Sequence, residues 1–145
     1  MKKNKIRLIT IVAGIAISFA VLSCKTNDIV VSEDLTFSQL IQKGQDAAAT
    51  ENYRAANAYF VACIDRYGSD LKCYVEARYE LGTINLKQKK YDLAKTMFNE
   101  LIAVYDRPEA LYQVQPKFKK LATIQLQKIA DIEAKQQEKE AKKKK

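Results

Sequence analysis

Gly44, Tyr53, Ala56, Phe60, Ile64 and Tyr67 are each followed, at one fixed offset, by an identical residue: Gly82, Tyr91, Ala94, Phe98, Ile102 and Tyr105. A period of this length belongs to chains that stack copies of one supersecondary unit, because a single unit buries too little apolar surface and leaves a face for its neighbour to cover. Punctuation is sparse, with four glycines and two prolines in 145 residues, which suits long helices better than a many-stranded sandwich. The expected fold is therefore all-α, built of antiparallel helix-hairpin units and closed by a C-terminal capping helix. Stacked helical units work through their surfaces, so function is sought there.

The first unit is expected over about 37–67. Thr36 with Gln39 three residues later reads as a capping box. A helix through Leu40, Ile41, Gly44, Ala47 and Ala48 groups its small residues where a second helix must approach, and Glu51-Asn52 breaks it. From Tyr53 a second helix sets Ala56, Tyr59, Phe60, Cys63, Ile64 and Tyr67 at the three- and four-residue spacings of one buried face. The second unit, 70–105, repeats the plan with Lys89-Lys90 at its turn. Pro108, near the first position of a further helix, and Pro116, at the start of the last one, predict capping helices over 108–134. In the last helix Phe118, Leu121, Ala122, Leu126, Ile129 and Ile132 form an apolar stripe, and 135–145 follows as a basic tail, disordered or helical. Lys120 stands where the glycine of a third unit would recur, so no third unit is expected.

Lys2, Lys3, Lys5 and Arg7 precede an uncharged stretch from Leu8 to Leu22, fifteen residues long. That is the length of an export-signal core and short of the roughly 20 residues of a permanent span. Val21-Leu22-Ser23-Cys24 resembles the lipobox of bacterial lipoprotein precursors. The resemblance implies a signal peptide over 1–23, acylation of Cys24 and a lipidated tether over 24–34. Two acyl signals suffice for stable anchoring where one does not. The formal charge of +8 includes four cations of the leader, leaving 21 basic against 17 acidic residues. Six lysines and two glutamates of the tail carry that remaining excess, so the body from Cys24 to Ala134 is neutral. A neutral body argues against a nucleic-acid-binding face.

The chain has no histidine, which excludes histidine proton shuttles, Ser-His-Asp and Cys-His nucleophiles and the commonest zinc ligand. No cofactor or metal is expected, and Glu76, Glu80 and Glu100 fit solvated helix faces better than a catalytic pair. Cys63 is read as an ordinary buried thiol, with a bridge to Cys73, closing the hairpin between the two units, as the alternative. The Lys142–Lys145 run reads as a solubilising end, with a grip on anionic headgroups as the alternative.

The Gly, Tyr, Ala, Phe order at spacings of 9, 3 and 4 resembles the tetratricopeptide repeat. That resemblance implies a partner-binding groove lined by the first helix of each unit: Ile41, Gln45 and Ala48 from unit one, and Glu76, Tyr79, Thr83 and Leu86 from unit two, with Tyr79 as the main anchor. The alternative is that the C-terminal helix fills this groove. With Cys24, the run Asn52-Tyr53-x-x-Ala56-x-x-x-Phe60, its closing Asp65-Arg66-Tyr67, and Tyr91-x-x-Ala94-x-x-x-Phe98 followed by Val104-Tyr105 resemble the BamD (ComL) family of outer-membrane assembly lipoproteins. The resemblance implies a non-enzymatic scaffold at the periplasmic face of the outer membrane. Its partners would be envelope proteins, among them the barrel-inserting subunit. Another envelope adaptor of the same fold, for peptidoglycan or secretion machinery, is the second expectation.

Overall fold

The fold is given by a computed structural model, which describes residues 29–143. Cys24 and the leader lie outside the described residues. Among those described there are six helices and no strand: α1 (Phe37–Ala49), α2 (Tyr53–Tyr67), α3 (Leu71–Lys87), α4 (Tyr91–Val104), α5 (Ala110–Gln113) and α6 (Lys117–Lys143). No helix among them is long and apolar enough to cross a membrane.

Local chemistry sets the helix starts. The Thr36 hydroxyl accepts from the Gln39 amide at 3.4 Å while the Gln39 side chain accepts from the Thr36 amide at 2.8 Å, the reciprocal pair of a capping box. Asn52 caps α2 through the Ala55 amide at 3.2 Å, and Asp70 caps α3 through the Lys72 amide at 2.9 Å. Lys90, at the start of α4, offers no such side chain. The ends of α1 and α3 are alike in backbone. Glu51 and Lys89, separated by the same offset as Gly44 and Gly82, take left-handed φ of 59° and 60°. The amides of Asn52 and Lys90 then reach back to the carbonyls of Ala47 and Asn85, both at 2.9 Å. A six-to-one bond of this kind closes a Schellman end.

Two apolar cores result, and α3 serves both. Leu40, Ile41, Ala56, Phe60 and Cys63 meet Ala77, Leu81 and Ile84 of α3 in the first. Leu71 and Val75 of α3 meet Ala94, Phe98, Leu101, Val104 and α6 residues Phe118, Ala122 and Ile129 in the second. In each pair of helices a ring lies directly on a glycine. A methyl group added at Gly44 would strike the Phe60 ring, and one at Gly82 would lie 2.6 Å from Cε1 of Phe98. Both rings are fully buried. Successive helices also meet alike: α6 rests on α4 more than on α3, as α3 rests on α2 more than on α1.

Two expectations change, and for the tail one of the two alternatives is found. The helix predicted from Pro108 is a single turn, α5, held by bonds spanning three residues such as Ala110 to the Arg107 carbonyl at 3.1 Å. Val114 is extended and Gln115 precedes Pro116, a place where steric clash disfavours helical backbone. The Tyr105 hydroxyl donates to the Gln115 carbonyl at 2.6 Å and pins this bend. The tail is helical, with α6 continuing to Lys143, although the residues from Lys135 to Lys143 are all exposed. Finally, part of the expected tether is docked. Arg66 donates to the carbonyls of Ser32 at 2.6 Å and Val31 at 3.1 Å, and the Tyr67 hydroxyl donates to that of Leu35 at 2.9 Å.

Candidate partner-binding groove

The seven residues expected to line a groove do not form one open surface. Six of them sit on the side of their helix that faces the next packing partner, α3 for α1 and α6 for α3, whereas Glu76 lies within electrostatic reach of Cys63 on α2 and of Glu80. Ile41 is buried in the first core beside Ala77, Leu81 and Ile84 of α3, so its expected outward role is corrected. Tyr79 follows Ile41 at the same offset that separates Gly44 from Gly82, and behaves alike. Its ring centroid lies 6.0 Å from that of Phe98 and 5.6 Å from that of Phe118. A half-buried tyrosine between two phenylalanines serves as a seam for α6. Ala48 and Leu86 pack as half-buried edges of the first and second core respectively.

Gln45 and Thr83 are the next pair at this offset, and here the two positions differ. Gln45 Nε2 donates to Glu80 Oε1 at 2.7 Å, closing the seam between α1 and α3. Burial is the first cause that raises the Glu80 carboxyl above its ordinary range; the Gln45 bond opposes it, the half-buried Glu76 one turn earlier adds to it, and Lys87 opposes it. Between α3 and α6 the shorter Thr83 leaves the corresponding seam open. Its hydroxyl is shut from solvent and meets no hydrogen-bond partner. Against it lies a cavity of about 320 Å³ between α3, the start of α4 and α6, lined by Thr83, Leu86, Lys87, Lys89, Tyr91, Gln125, Lys128 and Ile132. Helix α6 thus covers the Tyr79 end of α3 and leaves the Leu86 end accessible.

A second cavity of about 320 Å³ adjoins the first, sharing Lys89 and Tyr91 and bounded further by Lys90, Asp92, Leu93, Glu133 and Gln136. Lys95 holds both carboxylates at its edge, Glu133 at 2.7 Å and Asp92 at 3.0 Å. These bonds, Glu133 first, raise the ammonium above the ordinary lysine value. Sequence reasoning found Thr83 and Leu86 but missed Tyr91, Gln125, Lys128 and Ile132. The only available signal for the α6 residues was their place on the helix expected to cap the second unit.

Cys63 and Cys73 are free, buried thiols, and the bridge alternative is not formed. Desolvation by burial leads the causes that push them up, to about 12 and about 11. Among the described residues no three cysteine or carboxylate side chains gather as metal ligands would. No known protein family, curated protein or solved structure matches this chain.

Proposed function

We propose that this chain is a lipid-anchored, periplasm-facing scaffold of tetratricopeptide-like helix hairpins, which binds other envelope proteins and makes no covalent change in them. The observation that carries the reading is the recurrence of one packing device at one offset. Gly44 under Phe60 recurs as Gly82 under Phe98, and left-handed Glu51 recurs as Lys89, with the same separation along the chain in each case. A chain built by repeating a unit exposes an extended surface along the stack, and such surfaces hold partners. Within this reading, the likeness of Cys24 and the two Tyr-x-x-Ala-x-x-x-Phe runs to the BamD family makes the barrel-inserting subunit the first partner to test.

The docked segment adds a geometric consequence. Arg66 grips the chain at Val31, and the seven steps from Cys24 to Val31 span at most about 25 Å. An acylated Cys24 would hold the folded body close to the bilayer. Crosslinking in intact cells, detergent extraction and affinity recovery of the chain test the proposal. The expected result is stoichiometric recovery of a barrel-assembly subunit. Recovery of no envelope protein at all would end the scaffold reading. Cys24→Ala is expected to leave soluble or unprocessed protein; normal membrane-bound material in that variant would remove the lipid anchor from the proposal.

A further inference from the structure

We infer that the trough between α3, α4 and α6 docks an acidic segment of a partner protein, which seats one apolar side chain on Leu86, Tyr91 and Ile132 and sets carboxylates against Lys87, Lys89 and Lys128. The inference rests on the scaffold reading and names the chemistry of its partner. Two adjoining cavities of about 320 Å³ each, with Lys89 and Tyr91 common to both, make an elongated site over the α3–α4 turn. Its shape suits a stretch of chain better than a compact small molecule. Leu93, half exposed at 51%, prolongs the apolar strip.

The charge of this trough is not a by-product of the fold. The turn of unit one has the same left-handed backbone and carries Glu51 and Asn52, where unit two has Lys89 and Lys90. Geometry therefore accounts for the turn but not for its two lysines. No salt bridge among the described residues engages Lys87, Lys89, Lys90 or Lys128, all of them exposed. The two carboxylates at the edge, Asp92 and Glu133, are already held by Lys95. Clustered like charges raise the local potential and draw a ligand of opposite sign, and pairing across an interface gives orientation as well as attraction. A bare inorganic anion would leave the apolar strip unused, and a neutral apolar peptide would leave the lysines unserved.

The test titrates the isotopically labelled mature chain, in low salt, with the blocked peptide Asp-Asp-Phe-Asp-Asp and follows backbone amides by NMR. Shifts are expected at Leu86, Tyr91, Ile132 and their neighbours. Replacing the peptide's phenylalanine by alanine, its aspartates by asparagine, or the protein's trough lysines as Lys87→Glu with Lys128→Glu should each weaken binding by about tenfold or more. These lysines are exposed, so the double variant keeps its circular dichroism and melting temperature. Absence of shifts at millimolar peptide, or binding indifferent to the lysine variant, would overturn the inference. So would anionic phosphatidylglycerol vesicles competing fully with the peptide, or self-association of the free chain through the same residues. Crosslinked recovery of partners separates the two levels: partners still captured by Lys87→Glu with Lys128→Glu would sink the trough alone, and none captured by the wild-type chain would sink the scaffold.

Discussion

At Gly44 and Gly82 the absence of one methyl group lets an aromatic ring lie on helix backbone, and the rings of Phe60 and Phe98 are fully buried. Gly44→Ala or Gly82→Ala is therefore expected to destabilise by about 1–3 kcal/mol, the usual cost of overpacking. Phe60→Ala or Phe98→Ala should cost about 3–5 kcal/mol. Within one pair the losses should fall short of additive, since a methyl at Gly82 is harmless once the Phe98 ring is gone. Urea denaturation of the single and double variants reads both numbers, and strict additivity would show that the glycine and ring do not touch. The left-handed residues invert the sign. Lys89 has a side chain where φ is 60°, a conformation that costs most residues about 1–2 kcal/mol and glycine almost nothing. Lys89→Gly should raise stability by about 0.5–1 kcal/mol, the left-handed penalty less glycine's extra chain entropy, measurable as a higher urea midpoint. A lower midpoint would mean that Lys89 makes a stabilising contact in the folded chain.

Helix by helix, burial decides what each element contributes. In α6 the packing ends early: Ile129 is fully buried, whereas Lys135 to Lys143 are exposed throughout and gain only i,i+4 help such as Lys142 with Glu138 at 2.6 Å. Such pairs contribute about 0.2–0.5 kcal/mol. Ending the chain after Ala134 should leave the melting temperature within about 2 °C of the full chain, while Ile129→Ala should cost about 2–5 kcal/mol. Thermal unfolding by circular dichroism distinguishes them. A large loss on truncation would mean that the protruding turns pack on something. The start of α1 was legible beforehand because a cap acts over three residues, as Thr36 with Gln39 does. The single turn at α5 was not, because it depends on the Tyr105 hydroxyl reaching Gln115 across the bend.

Across the whole molecule, the seam between α1 and α3 links packing to pH through Glu80. Its folded carboxyl value lies above the ordinary 4.5, chiefly because of burial. The folded state then binds the proton more tightly than the unfolded chain, so this group's contribution to stability is complete below about pH 4.5 and is lost as pH rises through the folded value. Glu80→Gln keeps an acceptor for Gln45 and removes the titration. The variant's stability relative to the wild type should therefore improve between pH 4 and pH 7. Parallel urea midpoints for the two proteins across that range would show that Glu80 is not desolvated in solution. The same seam explains why the candidate groove differs from the one expected. Positions 41, 45 and 48 and their counterparts 79, 83 and 86 face the next helix in the stack. Where Gln45 reaches Glu80 the seam closes, and where Thr83 falls short it opens into the lysine-rimmed trough.

Sequence alone determined the helical class, the order of the elements and the capping of α1, because these follow from residue type and spacing over a few positions. It also placed Phe60 and Phe98 on their apolar faces, since a three- and four-residue rhythm is itself a record of one buried side. Which residues would share a surface was decided only by the tertiary structure. Ile41 moved into the core and Tyr79 into the α6 seam, while Gln125, Lys128 and Ile132 came to face Thr83 and Leu86 from beyond the α5 bend. A helix has a side for every neighbour, and spacing says that a face is buried without saying which helix covers it. The path of the chain through α5 and the bend before Pro116 brings α6 onto α3 and α4, and that arrival makes the trough.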